Sequence, residues 1–190
     1  MPISRDEAAE SLKKIEQAQS RSFTAYGYKS AAPFFFIWGA VWMIGYSAGD
    51  FWPAYNGRVW PALLLLAFIA SAIVGRNYGR KDTPDARARS NRIGLRMVAT
   101  WVAIFVFIGV VMNVMHPKTP AQGAAFVPLL VAAAYTILGI WMGVRFTIAG
   151  IAIAALTLGG FYFLQPHFQL WMAAVGGMTL IATGLWLRRA

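Results

Sequence analysis

Six apolar stretches divide this chain, at about 32–49, 60–75, 93–115, 124–143, 146–164 and 168–187. Each approaches the roughly 20 residues a helix needs to cross a hydrocarbon core about 30 Å thick. These stretches are continuous apolar runs without in/out alternation, so they read as helices. The expected fold is an all-α membrane protein with six transmembrane helices in three hairpins. A cytoplasmic amphipathic helix over 1–30 precedes the six-helix domain of 31–190. The second stretch is short, and is expected to stand upright or thin the bilayer locally.

Charge placement orients the spans. Residues 76–96 hold seven Lys/Arg and two Asp between two apolar stretches. Lys and Arg gather on the cytoplasmic side of inner-membrane proteins. Fifteen of the seventeen Lys/Arg fall in the N-terminal segment, the 76–96 connector, Arg145 and Arg188 with Arg189. Only Arg58 and Lys118 fall in the alternate loops. Both termini are therefore expected in the cytoplasm of a bacterial cell, with Trp52, Trp60 and Trp171 at the outer interface and Trp101, Trp141 and Trp186 toward the inner one. The net charge of +10 does not imply nucleic acid, because the positives flank spans and suit anionic headgroups. The absence of cysteine excludes disulfides and thiolate sites. The polar first thirty residues imply no cleavable signal peptide.

Local signals place the helix ends. Ser4 and Glu7 have capping-box spacing. Leu12, Ile15, Ala18, Phe23 and Tyr26 share one broad face of the helix that follows. That helix either lies on the inner leaflet or docks a partner, and Gly27 is expected to end it. Pro33 suits the first turn of span one, and Pro61 is expected to open span two. Thr83-Pro84-Asp85 reads as a helix start upstream of span three, placing Arg89, Arg92 and Arg96 along one side. A faint threefold pattern of Pro-turn hairpins is compatible with duplication and equally with any six-span chain having short outer loops.

Chemistry is sparse. No acidic residue follows Asp85, and no span holds Asp, Glu or Lys at its centre. Mid-membrane ionisable groups usually mark ion or proton pathways, so pump and antiporter readings weaken and two-carboxylate catalysis inside the membrane is removed. Asp82 through Arg89 (DTPDARAR) is similar to the start of the CDP-alcohol phosphotransferase signature. Ala86 stands where that family has Gly, the Ala-Arg pair is out of register, and two later Asp are missing, so its metal site does not form.

Asp50, His116 and His167 lie at the outer ends of the three outgoing spans. If those ends converge, two His and a carboxylate suit a divalent metal or a sensor of outer pH. The alternative is three solvated residues at a headgroup boundary. Trp38 and Trp42, four apart in span one, either pack against neighbours or line an apolar ligand pocket with Tyr135 and Tyr162. Gly139 and Gly143 form a GxxxG that permits close helix approach. Arg80, Lys81, Arg87, Arg89, Arg92 and Arg96 are the expected contacts to lipid or a protein partner.

In size and layout the six spans resemble the substrate-binding subunits of energy-coupling-factor vitamin transporters. The regular Ala-spaced face of that family's first span is not matched by Ala32, Gly39 and Ala40. The last hairpin, with its mid-helix glycines and Gly-Leu-Trp-Leu-Arg ending, resembles the hairpins of HdeD-type acid-resistance membrane proteins over about a quarter of the chain. The expected function is a non-enzymatic inner-membrane subunit that binds a partner or anionic lipid through its basic cytoplasmic face. The alternatives are a small-molecule carrier or substrate-capture component, and an outer-face metal or pH sensor. The expected partners are membrane lipids with anionic headgroups and a protein partner or second copy, not nucleic acid. No cofactor is specified.

Overall fold

A computed structural model describes residues 5–79 and 84–189, with the backbone alone over much of 5–24 and 78–97. It is 95% helical, with no strand among the described residues. The helices are α1 (Arg5–Phe51), α2 (Asn56–Gly79), α3 (Pro84–Met115), α4 (Pro120–Met142), α5 (Val144–Phe163), α6 (Phe168–Trp171) and α7 (Gly177–Arg188). A π-helical segment, Met172–Gly176, joins α6 to α7 and makes one span of them. Six helical segments are long and apolar enough to cross a membrane: Ala25–Phe51, Pro53–Asn77, Val98–Met115, Pro120–Met142, Val144–Phe163 and Gln165–Arg188. The protein is an integral membrane protein with multiple spans.

Three local expectations are corrected. Gly27 does not end a separate N-terminal helix, and Pro33 does not begin a span; both lie inside the single helix α1. Pro61 likewise lies within α2, which starts at Asn56. A mid-helix proline loses one i→i−4 hydrogen bond, but membrane helices tolerate this where neighbours satisfy the freed carbonyl. α3 is described from Pro84 onward. Thr83 and the Ser4 of the expected capping box lie outside the described residues.

A capping box instead opens α4. Thr119 is extended, and its side chain accepts from the Gln122 backbone N–H at 3.2 Å. Gln122 Oε1 accepts in return from the backbone N–H groups of Thr119 and Lys118, at 3.3 and 2.8 Å. With Pro120 at the first helical position, the orphan donors of the helix start are answered locally. At the other end Gly143 alone links α4 to α5. Its φ of 118° is open to glycine and strained for other residues.

Packing does not follow three equivalent hairpins. The most extensive contacts join α4 to α5 and the first helix to the last, α1 to α7. In both, glycines let backbones meet. A Cβ at Gly150 would stand 2.6 Å from the Ala132 carbonyl oxygen, and one at Gly139 would stand 2.9 Å from Thr147 Cα. Across α1 and α7, Gly39 and Gly177 face each other, and a Cβ on either would meet the other's carbonyl oxygen at 3.1 Å. About two turns away, Gly184 sits against the Ala32 carbonyl, its Cβ position 3.2 Å from that oxygen. The core lies along α1, where Tyr28, Ala32, Phe35, Trp42 and Tyr46 are buried with Phe146, Ile153, Met172, Leu180 and Leu187. α3 packs chiefly on α2, and no residue of its apolar segment Val98–Met115 is buried.

Candidate functional site

Two helices run past the apolar segments at one end of the bundle. α1 carries residues 5–24 before its apolar part begins at Ala25. At 1.5 Å per residue that is about 30 Å of helix. α3 carries the polar stretch 84–92 before Ile93, about 14 Å. Because α1 is unbroken from Arg5 to Phe51, its first part follows the direction of span one. A helix lying flat on the leaflet would need a bend between the two parts. Of the expected apolar face, Ile15 and Tyr26 have described side chains, and both are exposed. Lys13 and Lys14 are exposed beside them. Lys14 pairs with Glu10 at 2.8 Å, an exposed contact of small energetic weight.

The basic connector continues this end. Arg76, Arg92 and Arg96 are exposed. Arg80 and Lys81 lie outside the described residues, as do the side chains of Arg87 and Arg89. Arg92 and Arg96 are four apart on α3 and share one side of it, as the sequence pattern requires.

The same end holds a contact that the sequence did not single out. Arg145, the second residue of α5, is half-buried. Its guanidinium lies over the ring of Tyr28 on α1, 5.3 Å from the centroid, and over that of Trp186 on α7 at 5.1 Å. Nη1 donates to the Trp186 carbonyl at 2.7 Å, and the backbone N–H of Arg145 donates to the Tyr28 hydroxyl at 3.4 Å. One arginine thus ties three helices at the level where their spans begin and end. Cation–π geometry of this kind strengthens as the site loses water, and the carbonyl at the end of α7 carries the negative end of the helix dipole.

The expected metal cluster does not assemble. Among the described residues no three His, Asp or Glu side chains are grouped to hold an ion. Asp50 is half-buried near the end of α1. His116 is exposed at the end of α3, with φ 42° and Nδ1 3.3 Å from the Val114 carbonyl oxygen. His167 is exposed in the 3-10 turn Gln165–His167. At the same end as Asp50, Gly49 leaves room for the Gln169 amide, and Asn56 Oδ1 is buried without a hydrogen-bond partner.

The four aromatic residues of the expected pocket do not face one space. Trp42 is buried edge-on against Tyr46 and touches the π segment near Gly176. Trp38 meets different helices, stacking on Trp101 at 5.8 Å and meeting Phe68 edge-on. Tyr135 stacks on Phe35 at 5.0 Å. Tyr162 is exposed on α5 against Phe161. The aromatic rings of α1 serve helix packing on several sides.

Comparison with protein families, with curated proteins and with solved structures finds no match. The resemblances of layout to vitamin-transporter subunits and of the last hairpin to acid-resistance proteins gain no support there. Function is argued from the chain's own geometry: a six-span body with two helices extended from one end, where exposed cations concentrate.

Proposed function

We propose that this protein is a non-enzymatic subunit of the bacterial inner membrane, with both termini cytoplasmic, that binds a protein partner through the extended parts of α1 and α3. The continuity of α1 carries this reading. It holds Lys13, Lys14 and Ile15 off the spans along a helix about 30 Å long, while Arg92 and Arg96 are exposed on the first part of α3. An apolar stripe edged by cations suits an amphipathic or acidic partner surface. The bias of Lys and Arg toward this end supports the cytoplasmic assignment.

The test is affinity isolation of the full-length chain from source membranes in mild detergent, beside a variant lacking residues 1–20 and the pair Arg92→Gln with Arg96→Gln. A stoichiometric protein partner is expected with the intact chain and is weakened or lost in both variants. A chain that isolates alone, or a partner unaffected by either change, overturns the proposal.

A further inference from the structure

We infer that Arg145, at the end of the bundle that also carries Lys29, Arg188 and Arg189, binds the phosphate of an anionic phospholipid headgroup. Arginine has five N–H donors. Among the described contacts only one side-chain donor of Arg145 is used, on the Trp186 carbonyl. Among the described residues no carboxylate pairs with it. α4, α5 and α7 contain no Asp or Glu, and the acidic residues of α1 nearest to Tyr28 are Glu16 and Asp50. At 1.5 Å per residue those lie about 18 and 33 Å away along the helix. The cation is nevertheless half-buried and held in a fixed direction by two aromatic rings and a carbonyl. A preorganised guanidinium with spare donors is matched to phosphate oxygens.

The surroundings select a lipid. Lys29 follows Tyr28 directly and is exposed; Arg188 and Arg189 follow Trp186 within three residues and are exposed. Arg145 opens the span Val144–Phe163, and Trp186 closes the span Gln165–Arg188, so the cluster lies at headgroup depth. The N-terminus of α5 adds the positive end of its dipole. Ile148 and Ile151 on α5 and Leu185 on α7 are exposed, giving acyl chains an apolar surface below the charge. Basic pockets between spans are the usual form of headgroup recognition.

The inference rests on membrane insertion and not on what the extended helices bind. Its test uses residues separate from Arg92 and Arg96, so either proposal can fail alone. The full-length protein in detergent is titrated with phosphatidylglycerol or with phosphatidylcholine of the same acyl chains, and bound lipid is read by native mass spectrometry. Phosphatidylglycerol is expected to be retained about fivefold or more in preference, and a folded Arg145→Gln variant should lose about fivefold in retention. If Arg145→Gln does not fold, the pair Arg188→Gln with Arg189→Gln, which leaves the Tyr28–Arg145–Trp186 contact in place, is expected to lose a similar factor. Equal retention of the two lipids overturns the inference, as does unchanged retention in the folded variant. Displacement of the lipid by millimolar inorganic phosphate would also overturn it, by making this a site for a soluble anion.

Discussion

α5 and α3 are both apolar helices that cross the bundle once, yet they are held in different ways. α5 lies against α4 with backbones in contact at Gly139 and Gly150, and it buries Phe146, Ile153 and Thr157. α3 meets its neighbours through the ends of large side chains, Trp101 on Trp38 and Phe105 on Phe68. Hydropathy does not separate the two: the apolar segment of α3 has a mean hydropathy of 2.3 against 1.8 for α5. In lipid the tails are as apolar as leucine, so a more hydrophobic helix gains nothing by packing. Small residues that let backbones approach decide which helices join tightly.

The largest expected effect tests that difference directly. Gly150→Leu places a branched side chain where even a Cβ would stand 2.6 Å from both the Ala132 carbonyl oxygen and the Thr136 backbone nitrogen. Neither backbone atom can rotate away, so the α4–α5 pair must separate. The cost is expected to reach about 3 kcal/mol, the upper range for overpacking, measured by unfolding in mixed micelles. Gly109→Leu in α3 makes the same chemical change at a position with nothing within 4 Å of its Cβ. It should stay within about 0.5 kcal/mol of the parent. Equal losses at the two sites would break the comparison.

A smaller effect is expected where the flank meets the core. Trp101→Ala removes the stacked partner of Trp38, and with it much of what holds α3 to α1. An aromatic pair is worth about 1 kcal/mol beyond its area. Because lipid can replace the lost contact, the loss should remain near that figure. Cross-linking between α1 and α3 should then fall while the α4–α5 contact persists. A loss as large as that of Gly150→Leu would show that α3 belongs to the core after all.

The six spans were legible because length and hydropathy alone define them. The continuity of α1 was not legible. Gly27 and Pro33 are breaker signals in water, and their effect is overridden when a helix is fixed by packing along Ala32, Phe35 and Gly39. The Thr119-Pro120-Ala121-Gln122 box is a readable pattern, hidden by the placement of the span start at Ala124 on hydropathy. Gly139 carried its signal through the GxxxG spacing, but it meets Thr147 on the next helix, whereas Gly143 makes the turn. Arg145 read as one more topology charge. Its role depends on Tyr28 and Trp186, which are 117 and 41 residues away in sequence and meet it only in the fold. The metal triad failed for the converse reason: equivalent positions in a repeat pattern need not converge when the hairpins pack unequally.

The smallest effect concerns how the core tolerates its own prolines. Pro128 is buried within α4 and has no N–H to offer the carbonyl four residues earlier, that of Ala124. The Tyr46 hydroxyl of α1 donates to that oxygen at 2.9 Å. The proline thus creates an acceptor, and a neighbouring helix supplies the donor. Tyr46→Phe should cost about 0.6 kcal/mol, the average for such bonds between membrane helices. Pro128→Ala restores an N–H that can reach Ala124 within α4. In that background Tyr46→Phe should cost almost nothing, and the double-mutant cycle should return a coupling close to the single cost. An undiminished cost in the Pro128→Ala background would mean that the hydroxyl stabilises the protein by some means other than the proline's orphaned carbonyl. The Tyr46 hydroxyl and Pro128 would then be independent features, where the geometry joins them: a tyrosine of α1 answers the carbonyl that the proline of α4 leaves open.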